Sequence, residues 1–190
     1  MSTQNRGNAT PATAPRMSPS TIKDVAYLMP VNNVMLSAAI SAVESAFTMC
    51  GMPIRCVGAS AVPVRDAGNV TGLIGVHGNV SGFITVNFTE RIAIRAVSGL
   101  LEEHFTTLNA QVIDGIGEIT NIIVGGIKSA LDGSRWEFTQ MTVPSMIVGH
   151  GYSIAYSSGL AFLSVTFEHD DKEAMLEDRL IQLHMSLLAL

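Results

Sequence analysis

Charge is scarce in this chain: only 14% of its 190 residues are Asp, Glu, Lys or Arg, and they leave a formal charge of −5. A general nucleic-acid binder presents a basic stripe, and this balance supplies none. Cysteine is nearly absent. Cys50 and Cys56 are too few for a disulfide framework and are expected as buried, reduced thiols. No uninterrupted apolar run approaches the ~20 residues that a membrane helix needs, and the N-terminus has no apolar core of a secretory signal. The expectation is a soluble, cytoplasmic protein with no membrane contact. The five histidines (His77, His104, His150, His169 and His184) are scattered without metal-ligand spacing and are expected at turns or on the surface, with no metal site. No Gly-x-Ser-x-Gly elbow occurs. Gly72, Gly75 and Gly78 lack the Gly-Lys-Ser/Thr and the following helix of a phosphate loop.

What is present reads as one domain behind a tail. Residues 1–21 are rich in Ser, Thr, Asn, Ala and Pro, cannot bury enough apolar surface to offset ordering, and read as a disordered tail. Residues 22–190 are long enough for one domain with a sizeable core. Asn32-Asn33 can cap a helix whose stripe would be Leu36, Ile40, Val43 and Phe47, stopped by Gly51 and Pro53. Ile54 to Arg65 reads as a strand that ends in or is interrupted by the Pro63 region. Val70–His77 and Val80–Phe88 read as a hairpin turned by Gly78-Asn79. Thr89 can cap a second helix with Ile94, Val97 and Leu101 as its buried stripe. Trp136–Val148, Tyr152–Tyr156 and Leu160–Phe167 read as strands. At the C-terminus, Leu176, Leu180, Leu183 and Leu187 fit a helix. Ile181, Leu183, Met185 and Leu187, alternating with Gln182, His184 and Ser186, fit a strand. The strand is preferred because it completes a hairpin with Leu160–Phe167 across the acidic linker Glu168–Asp178. This order of elements predicts an α+β fold, an antiparallel β-sheet with helices packed on one face.

The most informative stretch is Asn109–Leu131. Asn109 caps it and Gly133 ends it. Asp114, Glu118 and Asn121, spaced i, i+4, i+7, fall within an arc of roughly 60° at about 100° per residue. Val112, Ile116, Ile119, Ile123 and Ile127 form the opposite, core-facing seam. Lys128 extends the polar row. Gly115, Gly117, Gly125 and Gly126 each cost about 1 kcal/mol against Ala inside a helix. Gly125 shares the polar face, where a bare backbone lets a partner come close; the others suit tight packing. By itself, the pattern is also that of an ordinary solvated helix surface.

Asp114-x-x-x-Glu118-x-x-Asn121 followed by Gly125-Gly126-x-Lys128 resembles the central helix of the CheC/CheX/FliY family, the phosphatases of phosphorylated CheY. Thr71–Phe88 is similar to that family's glycine-punctuated hairpin, Thr89–Glu103 to the helix after it, and Val143–Gly149 to its proline-containing strand. The resemblance spans most of Val31 to Leu188 and implies a CheC/CheX-like fold. Some members carry a second Glu/Asn pair on the first helix. Here Glu44 is followed by Ser45, Ala46 and Phe47, so one active face per chain is expected, as in the CheX branch.

The implied activity is hydrolysis of an aspartyl-phosphate on a CheY-like receiver domain. Asn121 would position the water and Glu118 would pair with the receiver's lysine, as the catalytic residues. Asp114, Gly125 and Lys128 are the candidate partner-binding residues. The chain would need no cofactor of its own, with Mg²⁺ expected in the receiver. A homodimer through a sheet edge is also implied. Two other readings use the same helix: a non-enzymatic adaptor for a receiver domain, and a structural module related to the flagellar switch.

Overall fold

A computed structural model describes residues 31–64, 66, 68–149, 152, 154 and 159–190. The predicted tail, residues 1–21, lies outside them, as does most of the predicted strand Tyr152–Tyr156. The described residues form an α+β domain. Helix α1 spans Asn33–Met49, α2 Glu90–Leu101 and α3 Ala110–Ala130. The strands are β1 (Ile54–Ser60), β2 (Val70–Gly78), β3 (Val80–Phe88), β4 (Phe138–Met141), β5 (Ser145–Val148), β6 (Ala161–His169) and β7 (Leu180–Ala189). They pair antiparallel in the order β1-β6-β7-β3-β2-β4, with β5 also on β2.

Local chemistry fixes the helix starts. The Asn32 side chain accepts a hydrogen bond from the Met35 amide at 3.0 Å, Thr89 from Ile92 at 3.3 Å and Asn109 from Val112 at 2.9 Å. Each satisfies one of the amides that a helix N-terminus leaves free. Gly51 follows α1 at φ 64° and Gly133 follows α3 at φ 70°, left-handed conformations that end helices at little steric cost.

The stripes differ from the sequence reading in their width. On α1, Val43 and Phe47 are buried, but Leu36 and Ile40 are only half-buried; Met35, Ala38, Ala39, Ala42 and Ala46 make the packed face. Alanine leaves room for a neighbouring backbone that a larger side chain would hold away. On α2 the buried residues are Ile92, Ala93, Ala96 and Val97, whereas Leu101 is exposed. β1 stops at Ser60, before Pro63, which has no amide to give a ladder. The predicted strand Trp136–Val148 divides into β4 and β5 around Thr142–Pro144.

The C-terminal segment is a strand, and it sits at the centre of the sheet between β6 and β3. Its preceding linker holds a short 3₁₀ turn, Glu177–Arg179. Ile181, Leu183, Met185 and Leu187 join Ile84, Val86, Phe88, Val165 and Phe167 in the core under the helices. The alternate residues are polar and also buried. His184 lies directly between Thr85 of β3 and Ser164 of β6. This corrects the expectation that the histidines are surface residues: His184 and His169 are both buried, and His184 Nε2 meets Asp66 Oδ1 at 2.9 Å. Thr85 Oγ1, Ser164 Oγ, Ser186 Oγ and His184 Nδ1 have no hydrogen-bond partner among the described residues.

Helix α3 is in contact with the sheet, with both other helices and with β5. Against the sheet, Thr120 lies over Gly72 of β2; a Cβ on Gly72 would fall 2.7 Å from Thr120 Cγ2 and 2.8 Å from its Cβ. A Cβ on Gly115 would fall 2.6 Å from Val97 Cγ1 of α2, and one on Gly126 would fall 3.0 Å from Ala42 Cβ of α1. Those two glycines are required by packing. Gly117 faces Met146 and Pro144 at ordinary contact distances of 3.8 and 4.0 Å, so close packing does not explain it. A Cβ on Gly125 would meet nothing within 4 Å.

The long linker before β7 is tied to α2. Arg91 Nη2 and Arg95 Nη1 reach the same oxygen of Asp171 at 2.8 and 3.0 Å, and the Thr89 hydroxyl donates to the Asp178 carbonyl at 3.0 Å. Hydrogen bonding from Arg91, aided by the charges of Arg91 and Arg95, holds the Asp171 carboxyl below the usual carboxylate range.

Gly72→Ala is expected to cost about 2–3 kcal/mol of stability because β-branched Thr120 has no low-energy way to yield. Gly125→Ala should instead add about 0.5–1 kcal/mol, the helix-propensity difference alone. Urea unfolding of the two variants checks both signs. Asp171 has its lower pKa in the folded state, so its stabilising contribution is present above the ordinary value near 3.8 and is lost as pH falls through the folded value. Asp171→Asn should therefore lower Tm at neutral pH and narrow the gap to wild type as pH is taken down through that window.

Candidate functional site

The four contacts of α3 leave one arc of the helix open. Gly115 and Gly126 sit three turns apart on nearly the same azimuth at about 100° per residue, Thr120 faces the sheet, and Gly117 faces β5. The remaining arc carries Asp114, Glu118 and Asn121, and all three are exposed. Val112, Ile116, Ile119, Ile123 and Ile127 are at most 1% exposed on the opposite side. The expected row therefore forms, on a helix whose backbone is fixed by its neighbours.

None of the three makes a side-chain hydrogen bond or ion pair with another described residue. An exposed carboxylate and an exposed amide one turn apart, with no internal partner, have their full donor and acceptor capacity available to another molecule. Gly125 continues the row with open space above it. Lys128, in the last turn of α3, is half-buried, and its charge suits the helix C-terminus.

Competing chemistry is weak elsewhere. Cys50 caps the C-terminus of α1 and is buried, which pushes its thiol up to about 11; a thiol held neutral is a poor nucleophile. Cys56 is also free and, contrary to expectation, only partly buried on the edge strand. No group of three or more His, Cys, Asp or Glu among the described residues could hold a metal ion. An open groove of about 770 Å³ runs along α2, lined by Arg91, Ile94, Arg95, Ser98, His104 and Phe105. No α3 polar residue lines it, and its two arginines are turned to Asp171. Sequence reading missed this cluster. Arg91 and Arg95 at i, i+4 were a visible signal, but their partner lies 80 residues away from Arg91.

No described helix is long and apolar enough to cross a membrane. The family described as chemotaxis phosphatase CheX matches residues 70–168, which include β2 to β5, all but the last residue of β6, and the whole of α3. The chain belongs to that family. A chemotaxis protein CheX from Vibrio vulnificus is 25% identical, with a TM-score of 0.66 over 82% of this chain and 97% of its own. A putative chemotaxis protein from Desulfovibrio vulgaris Hildenborough is also 25% identical, with a TM-score of 0.71 over 84% of this chain and 100% of its own. A CheX from Borrelia burgdorferi, solved in complex with CheY, BeF3 and Mg²⁺, shares the fold at 21% identity, with a TM-score of 0.64 over 84% of this chain and 98% of that one. No curated protein matches the chain.

Proposed function

We propose that this protein hydrolyses the aspartyl-phosphate of a CheY-like receiver domain by placing a water for in-line attack. The observation that carries the reading is the pair Glu118 and Asn121: exposed, without a side-chain partner among the described residues, one turn apart, and fixed on a helix packed on its other sides. Membership in the CheX family and the CheX–CheY complex from Borrelia support it.

An acyl phosphate is already reactive, so positioning is most of what a catalyst must add. On the receiver, a Mg²⁺ ion and a lysine are expected to neutralise the phosphoryl oxygens. Asn121 has an amide donor and acceptor, which together hold a water without the side chain becoming a nucleophile. The water oxygen bonds to phosphorus, the bond from phosphorus to the aspartyl oxygen breaks, and the aspartate leaves as its carboxylate. The water's proton passes to the phosphate or to solvent. The logic is that of a glutamine orienting water in GTP hydrolysis.

Glu118 pairs with the receiver's lysine and sets the register of the helix in the pocket. Desolvated, such a charge-assisted contact contributes about 1.5–3 kcal/mol. Asp114 makes a second contact, and Gly125 lets the receiver's surface approach the helix backbone. The activity belongs in the cytoplasm with its substrate. A homodimer through the β1 edge completes the reading: β1 lies at one end of the sheet, and Val57 on it is 47% exposed.

Asn121→Ala should slow the stimulated decay of receiver phosphate by about 10²-fold or more while leaving affinity largely intact. Glu118→Ala should weaken both. Full turnover by the Asn121 variant would end the water-positioning role; binding without faster decay, even by wild type, would make the protein an adaptor. Sedimentation equilibrium should give twice the chain's mass of 20.2 kDa, and Val57→Lys should shift it toward the monomer; a monomeric wild type would remove the dimer.

A further inference from the structure

We infer that Val143 is the apolar anchor that seats the receiver domain on this site and helps to decide which receiver is accepted. The inference rests on the function proposed above and adds a residue outside the α3 row. Val143 is 82% exposed, more than any other large hydrophobic side chain among the described residues. A single exposed valine is ordinary; the setting of this one is not.

Val143 lies where the edge of the sheet is interrupted. β4 and β5 both pair with β2, and Thr142, Val143 and Pro144 between them leave the ladder. The break is pinned from both directions: the Thr142 amide donates to the Gly75 carbonyl at 2.9 Å, and the Gly75 amide donates to Thr142 Oγ1 at 2.9 Å. Pro144 follows, with its φ fixed by the ring. Val143 therefore stands on a backbone held on both sides, and its own side chain has one stiff torsion. A group so arranged loses little freedom when a partner covers it, which is the property of a good binding anchor.

Its place relative to the polar row identifies the occupant. Pro144 and Met146 are the residues that face Gly117 of α3, at 4.0 and 3.8 Å from where its Cβ would be. Gly117 lies three residues after Asp114 and four before Asn121, on the flank of the row. The interruption thus borders the face that carries Glu118 and Asn121. A receiver whose phosphoryl pocket meets that face brings the rim of its pocket to this edge. The matching surface is an apolar residue on that rim. Receivers share the chemistry of the phosphorylated aspartate, so contacts to that chemistry do not separate one from another. An apolar contact outside the pocket does, because a receiver with a charged residue there must bury it against valine.

The test uses the full chain and the CheY-like receivers of the same cell, each loaded with Mg²⁺ and beryllofluoride for binding or phosphorylated for decay. Val143→Ser should raise both Kd and KM about tenfold, leave kcat at saturation unchanged, and leave Tm unchanged because the side chain packs on nothing that folding needs. Val143→Ile should retain wild-type Kd. Unchanged Kd and KM in Val143→Ser would overturn the assignment, as would a fall in kcat with KM unchanged. The wild-type control separates the two readings. If wild type binds but does not accelerate decay, the phosphatase reading fails, and the Kd comparison still decides Val143. If no receiver binds wild type, both fall.

Discussion

The contact between Thr120 and Gly72 sets the position of everything else at the site. A helix laid on a sheet is normally held away by side chains from both layers. Here a strand residue without a side chain lets a β-branched helix residue descend onto the backbone of β2, and the Thr120 hydroxyl turns back to the Ile116 carbonyl at 2.8 Å. With α3 at that height, Gly115 and Gly126 bring α2 and α1 against its flank. Three close approaches define a rotation as well as a position. A helix resting on leucines alone has neighbouring orientations of similar energy; one seated through three glycine contacts does not. The direction in which Glu118 and Asn121 face is thus a result of packing on the other side of the helix.

Exposure and rigidity usually oppose one another, since exposed side chains are carried by elements with fewer contacts. The α3 row avoids this conflict by placing three exposed polar residues on the most enclosed helix of the domain. No described residue competes for their hydrogen-bonding groups. This is the preparation that a positioning catalyst requires, because the ordering of the helix is completed in folding and is not charged against binding.

What could be read from the sequence was what local chemistry determines. The caps at Asn32, Thr89 and Asn109, the turn at Gly78-Asn79 and the alternation from Ile181 to Leu187 each involve residues close in the chain. The polar row was legible for the same reason, since helical spacing is local. What was missed depends on residues distant in sequence. Leu36, Ile40 and Leu101 have the right character for a stripe, but the close approach of α1 to Gly126 gives the centre of the interface to alanines, and Leu101 falls at the end of its helix. His184 and His169 look like surface residues because only the sheet order shows that they are enclosed. The break at Thr142–Pro144 could be suspected from the proline, but its geometry comes from Gly75 on another strand.

The sheet order has one further consequence, for the sequence of folding events. Without β7 the sheet is two unconnected pieces, β1 with β6 and β3 with β2, β4 and β5. β7 comes after all of them in the chain and joins them. Until it has been made, β6 and β3 each present an unpaired edge, and the core between helices and sheet lacks its central row, Ile181 to Leu187. Closure must therefore be late and must bring together segments far apart in sequence, the kind of step that slows folding. A slip of one residue would drive Gln182 and His184 into the apolar layer and Leu183 and Met185 into the hydroxyl-lined one. The two-sided chemistry of β7 thus acts as a check on assembly: a wrong register is penalised on both faces at once.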